Sequence, residues 1–469
     1  MVLIDSCHSG TLRAELGSLL EDLSNDRHKH KGIQFAPGSE VVKDGKVYTV
    51  TGITDFEPTP KGPKSVAEPL EHPRTVGLCR VCNHVEKTPS SSESSCPICK
   101  ADDYDVVDLR EPAGFRASQP RDFDGVFAWT PITVSSRAAA NLLALRFTSW
   151  EEAHVYSGPG ERYVINDNNG DLFSLRRASG PWGGYLASGA TGPSYGDQLQ
   201  VALGAALPTD FFFLGPASAI DKAHGYRLNL TPAAPAYGGD ISQGRRAAWY
   251  SLAFLLRSAA AQFLDVGRQE LLAGIHAGPH PDGPVAYAFL ADALENGAGF
   301  STHLGSPEVI ADFMQAVHTY LDALRQTEHA EICTSSYPRC LRDYSNMPYH
   351  PLLDWRLASD LLTVLSGGLA STSADRARRS LAGLQKMLKA TLLDGDLPGL
   401  VFTSGRGLRH AVVARHPLHM CEKDAASTDL QPALDAALEY TQDAGRIVAA
   451  DWFTLEKSPM QIIEQLQAP

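Results

Sequence analysis

Ile310, Phe313, Met314, Val317, Leu321 and Leu324 recur at three- and four-residue steps, the spacing that gathers apolar side chains on one helical stripe. Ser306-Pro307 just before them is a helix start. A second stripe, Leu381, Leu384 and Leu388, predicts a helix from about residue 375, and a third helix is predicted from about residue 351 to Gly367-Gly368. Residues 247–256 are almost wholly apolar until Arg257 and predict a buried helix; no apolar run is long enough to span a bilayer. Residues 12–23 have a helical pattern. Elsewhere the first half reads as strands and turns. Residues 45–50 predict a strand, and 209–214 a short buried one. Residues 162–165 and 171–175 flank Asn168-Asn169-Gly170, which predicts a hairpin. Residues 57–73, rich in proline and lysine, predict a linker. Residues 399–402 and 411–414 predict a return to the sheet. The pattern is that of an α+β protein: an N-terminal segment and linker (1–74), a small cysteine ribbon (75–110), a mixed, strand-rich region (111–240) and a helix-rich C-terminal domain (241–469).

Composition narrows the functions. The 469 residues are 43% hydrophobic and 20% charged, ordinary globular values. The formal net charge of −13 argues against a protein that wraps duplex DNA with its whole surface, because phosphate neutralisation supplies most of that binding energy. Nucleic-acid contact is therefore expected to be local or supplied by a partner. Met1-Val2-Leu3-Ile4 meets Asp5 at once, so no signal peptide is expected and the expected location is cytoplasmic.

In a reducing cytosol, closely spaced cysteines favour metal over disulfide. Of the eight cysteines, four form the pairs Cys79-Arg80-Val81-Cys82 and Cys96-Pro97-Ile98-Cys99, about thirteen residues apart. Each Cys-x-x-Cys turn aims two thiolates at one point, and the loop between them brings the pairs into a tetrahedron suited to zinc. Such a closed shell has no open position, so the ion is expected to be structural. The alternative is four free thiols or a redox pair. His84, beside the first pair, is expected to lie outside the shell.

Several segments resemble one family. They run from Phe35-Ala36-Pro37-Gly38 and Asp44-Gly45-Lys46-Val47-Tyr48, through the ribbon and Glu111-Pro112-Ala113-Gly114-Phe115, to residues 249–256. They continue with Phe289-Leu290-Ala291-Asp292 and Gly297-Ala298-Gly299-Phe300. The most specific is the run 333–346, with Cys333, Tyr337, Cys340, Tyr344 and Asn346, followed by His350, Asp354 and Arg356. Together they are similar to the MrfA-type zinc-binding domain. That domain closes DEAD/DEAH-type DNA-repair helicases and also stands alone as the DrmB-type subunit of the DISARM anti-phage defence system. The resemblance covers nearly the whole chain after about residue 35. It implies an accessory protein with a separately encoded helicase and DNA as partners, no membrane, and zinc as cofactor. It also implies a second four-cysteine zinc site in this domain, but Ser301 and Tyr337 occupy two of its positions. Cys333 and Cys340 alone remain and do not close a shell. The expectation is a lost site; the alternatives are completion by His303 or His350, or two buried thiols.

Other chemistry finds less support. No Gly-x-x-x-x-Gly-Lys-Ser/Thr cradle is present, so the chain is not expected to be the motor. Asp5-Ser6-Cys7-His8-Ser9-Gly10 matches the nucleophile strand end of caspase-like peptidases, but the histidine base that activates such a thiol would have to come from upstream. Asp265, Glu270 and Asp292 have no nuclease-like spacing. Two basic groups are candidates for DNA: Arg339, Arg342 and Arg356 with Tyr344 as a stacking ring, and Arg376, Arg378, Arg379, Lys386 and Lys389 on one predicted helix. The reading is a non-catalytic accessory subunit of a DNA helicase that helps bind or load DNA, with antiviral defence as the setting. The alternatives are a structural adaptor without DNA contact and a cysteine peptidase fragment using Cys7.

Overall fold

The computed structural model describes residues 36–57, 64–90, 93–126, 134–179, 183–231, 243–280, 283–326, 328–371, 373–393, 397–421, 430–442 and 445–467. The predicted helix at 12–23 and the Cys7 segment lie outside them.

The chain is α+β. One large sheet organises the first two thirds. Its strands include β1 (Lys46–Ile53), β2 (Leu70–Cys79), β3 (Tyr104–Pro112), β4 (Val134–Ala139), β5 (Ala153–Asn166), β6 (Phe173–Ala178) and β7 (Ser194–Pro216). β7 is the spine, 23 residues long. Along one edge it pairs antiparallel with β6 and then with β5, from Ala178↔Ser194 to Ala153↔Pro216. Along the other it pairs with β3, parallel at Ala202↔Leu109, and with β9, introduced below.

This corrects the predicted hairpin. Asn168, Asn169 and Gly170 do adopt positive φ, as their residue types suggest. Yet β5 and β6 bond to β7 and not to each other, and both run antiparallel to it. Residues 167–172 are an excursion between two collinear strands. The reversal was inferred from local turn chemistry, whereas the pairing surface is a strand far along the chain. The short strand predicted at 209–214 is likewise only the apolar C-terminal part of β7.

The predicted linker also holds structure. Lys64–Ser65 pairs with Phe56–Glu57, and β2 begins at Leu70. Pro73 sits inside β2 where the register with β3 shifts between Glu71 and Arg74, a bulge that tolerates a residue without an N–H.

Helix α1 (Gln243–Phe263) is buried on almost every side, with Trp249, Leu252, Ala253, Leu255 and Leu256 in the main core. It is followed by two strands that the helix-rich reading did not contain, β8 (Leu271–Gly278) and β9 (Val285–Asp292). They pair from Leu271↔Asp292 to Gly278↔Val285, and β9 joins β7 at Phe211↔Ala291. Every residue of β9 is buried, so it lacks the alternation that marks a strand. Helices α2 (Ile310–Arg325), α3 (Glu328–Ile332), α4 (Trp355–Leu365) and α5 (Ala374–Leu388) follow. The apolar stripe of α2 is buried, although the helix starts at Ile310, after Ser306-Pro307. α4 starts later than predicted, at Trp355, where the Asp354 side chain accepts from the Arg356 N–H.

The C-terminal strands do not return to the large sheet. β10 (Gly399–Thr403), β11 (Arg409–Arg415) and β12 (Ile447–Asp451) belong to a separate four-stranded sheet with β11 and β12 parallel. Val412 and Ala414 face Leu381 and Leu384 of α5. Ala411 and Val413 face Ala433, Leu434 and Ala437 of α6 (Gln431–Thr441). A two-residue alternation thus serves a helix on each face.

Candidate metal centres

β2 and β3 pair up to Cys79↔Tyr104, so the first knuckle grows from the end of β2 and the second stands just before β3. The residue after each pair takes a left-handed conformation: Asn83 at φ 63° and Lys100 at φ 60°. That turn folds the chain back over the thiols, where the Cys79 N–H bonds the His84 carbonyl and the Cys96 N–H bonds the Ala101 carbonyl. The result is a compact group of four buried sulfurs, all within 4.8 Å of one another. Cys79 and Cys99 stand 3.5 Å apart, Cys82 and Cys96 3.6 Å. A tetrahedral zinc shell with ~2.3 Å bonds has edges of about 3.8 Å, so these two pairs need open by only a few tenths of an ångström to hold an ion.

The four thiols are also electrostatically linked. Hydrogen bonding with Cys82 draws Cys79 below the ordinary thiol range, and hydrogen bonding with Cys79 draws Cys96 below it. Contacts with Cys79 push Cys82 and Cys99 above it. Four adjacent thiols compete for protons; a divalent cation ends the competition by favouring the thiolate at every position.

The ribbon is fastened to the body from behind. Arg137, fully buried, donates to the carbonyls of Cys79 (2.7 Å) and His84 (3.3 Å). Arg246 of α1 donates to the carbonyls of Arg80 (3.1 Å) and Val81. Arg80 pairs with Asp103, Asp105 and Asp167, tying the excursion between β5 and β6 to the first knuckle. The four cysteines share the main core with α1. His84 lies outside the shell, beside Glu86.

A second group forms where the sequence left two cysteines. His329, Cys333 and Cys340 place their ligand atoms within 4.8 Å of one another. Neither His303 nor His350 belongs to this group. His303 is exposed on the short helix Phe300–Leu304. The His350 Nε2 lies 3.0 Å from the Asp343 carbonyl and 2.9 Å from Asn346 Oδ1, inside the turns that lead to α4. The reason is simple: His329 lies on α3 and Cys333 directly follows its last residue, four positions on, with the Cys333 N–H still bonded to the His329 carbonyl, which brings the two to one face. That His-x-x-x-Cys spacing was present in the sequence. Burial, and then Cys340, push the Cys333 thiol up to about 12. Burial, and then Arg356, hold His329 below the usual histidine range.

The basic residues divide by role. Arg376 is buried and bonds Asp354 at 2.6 Å, with Glu456 at 3.6 Å; it does not share an exposed face with its neighbours. Arg356 is also structural: it donates to the carbonyls of Ala330, Cys333 and Thr334 and lies over the Trp355 ring. Arg342 bonds Ser336 Oγ at 2.8 Å. Arg378 pairs with Asp375 at 3.8 Å. Arg339, Arg379, Lys386 and Lys389 are exposed, and Tyr344 is 76% exposed.

No protein-family model matches the chain, and no curated protein does. Among solved structures the chain is similar to the crystal structure of the DUF1998 helicase MrfA bound to DNA, at 12% identity and a TM-score of 0.30. The match covers 53% of this chain and 26% of that one, and at this score it carries no argument about function. No helix among the described residues is long and apolar enough to cross a membrane.

Proposed function

We propose that the chain is a non-catalytic, metal-clamped accessory subunit that works beside a separately encoded DEAD/DEAH-type helicase and helps it hold a DNA strand. The observation that carries this reading is the loop between α3 and α4, in the segment on which the sequence resemblance is most specific. Its backbone is pinned by Arg356 and by the Asp343–Asn346 capping pair, and the Arg342 side chain bonds the Ser336 hydroxyl, while Arg339 and Tyr344 stand exposed on it. An exposed cation and an exposed ring on a fixed loop suit a phosphate and a stacked base of single-stranded nucleic acid, with little sequence readout. Zinc at Cys79, Cys82, Cys96 and Cys99 would hold the ribbon in shape; it takes no part in a reaction. The proposed setting is antiviral defence, and the proposed compartment is the cytoplasm.

The test is fluorescence anisotropy with a single-stranded oligonucleotide at several salt concentrations, using the purified chain alone and with its helicase. The reading expects salt-dependent binding that weakens about tenfold in an Arg339→Ala, Tyr344→Ala double variant, in line with ~1–3 kcal/mol per stacked base. Absence of binding in both settings would leave the structural adaptor as the better account.

A further inference from the structure

The geometry points to a second metal site of a different kind: His329, Cys333 and Cys340 form a three-donor centre that binds zinc and leaves a fourth position for an exchangeable ligand. Three observations carry this. The donor atoms already converge within 4.8 Å. Cys333 and Cys340 are buried and free, 4% and 0% exposed, so neither a disulfide nor solvent occupies their sulfurs. The His329 Nε2 is buried and has no hydrogen-bond partner, a cost that a buried ring nitrogen ordinarily avoids.

The surroundings hold these donors in place. Tyr337 stacks on the His329 ring at 4.9 Å and 20°, and Trp355 packs against it at 5.6 Å. The Cys333 N–H bonds the His329 carbonyl at 2.8 Å, which fixes the spacing of the two donors. The Tyr337 N–H points at Cys340 Sγ from 3.2 Å, the kind of bond that steadies a thiolate. Arg356 fastens three carbonyls of the same stretch. The sequence resemblance implies cysteines at Ser301 and Tyr337; this centre uses neither and recruits a histidine in their place. It does not depend on the helicase reading.

Two thiolates and one imidazole suit zinc, and binding releases the two thiol protons. A three-donor shell holds its ion less tightly than the four-thiolate ribbon and exchanges it faster. The experiment is metal counting by native mass spectrometry of the full chain, followed by cobalt substitution and absorption spectroscopy. The expected result is two zinc ions per chain, one lost first to a mild chelator. A Cys333→Ser, Cys340→Ser double variant and a His329→Ala variant are each expected to keep one ion and the four-thiolate cobalt bands, and to lose the contribution of the weaker site. Those retained bands show that the variants still fold. One ion per wild-type chain, or two ions in the double variant, would overturn the proposal.

Discussion

The side-chain amide of Asn83 donates to the Tyr250 hydroxyl at 2.8 Å, joining the first cysteine knuckle to the central helix α1 across a fully buried seam. Asn83 is the residue whose left-handed backbone turns the chain back over the thiols. One residue therefore shapes the knuckle with its backbone and docks it with its side chain. Tyr250→Phe removes the partner of a buried amide, and is expected to cost ~1–3 kcal/mol. The check is the urea midpoint of the zinc-loaded chain. Metal stoichiometry should stay unchanged, because no sulfur is touched; an unshifted midpoint would mean that this bond does not secure the ribbon.

Arg376 and Arg379 lie on one helix and are expected to respond in opposite ways. Arg376→Ala leaves Asp354 buried without its partner and is expected to destabilise by ~3–5 kcal/mol. Arg379→Ala changes an exposed residue and is expected to stay within ~0.5 kcal/mol. Chemical denaturation of the two variants separates them, and equal losses would contradict the assignment of Arg376 to the interior.

His276 links stability to pH. Burial, and secondarily His84, depress it from 6.5 to about 3. Above pH 6.5 the ring is neutral both folded and unfolded, so the stability is fully present. Below that, the unfolded chain takes up a proton that the folded chain refuses, and stability falls as pH drops toward 3. His276→Phe is expected to flatten this acid limb. Urea midpoints at several pH values between these limits, wild type against variant, read the difference; metal loss at low pH affects both chains alike. Parallel acid limbs would exclude His276 as the source.

Legibility in the sequence followed the range of the interactions. The stripes of α2 and α5 were readable because helical burial repeats every three or four residues, and the ribbon because its ligand spacing is local. β7 was not, since the apolar run that marks it lies near its C-terminal end while its first seven residues are mostly exposed. β9 was missed for the opposite reason, being buried throughout. Arg376 read as a surface cation because its partner Asp354 is 22 positions away. His329 was overlooked in favour of His303 and His350, although it stands only four residues before the run 333–346 that the resemblance marks.

The end-to-end placement of β5 and β6 on one edge of β7 has a practical corollary for proteolysis. A protease that nicks the chain between Asn168 and Gly170 would leave each new terminus zipped to the same long strand, with Asp167 still clasped by Arg80. The two fragments are expected to elute together on native size exclusion and to part only in denaturant, so this surface loop offers a place to insert a tag without dividing the molecule.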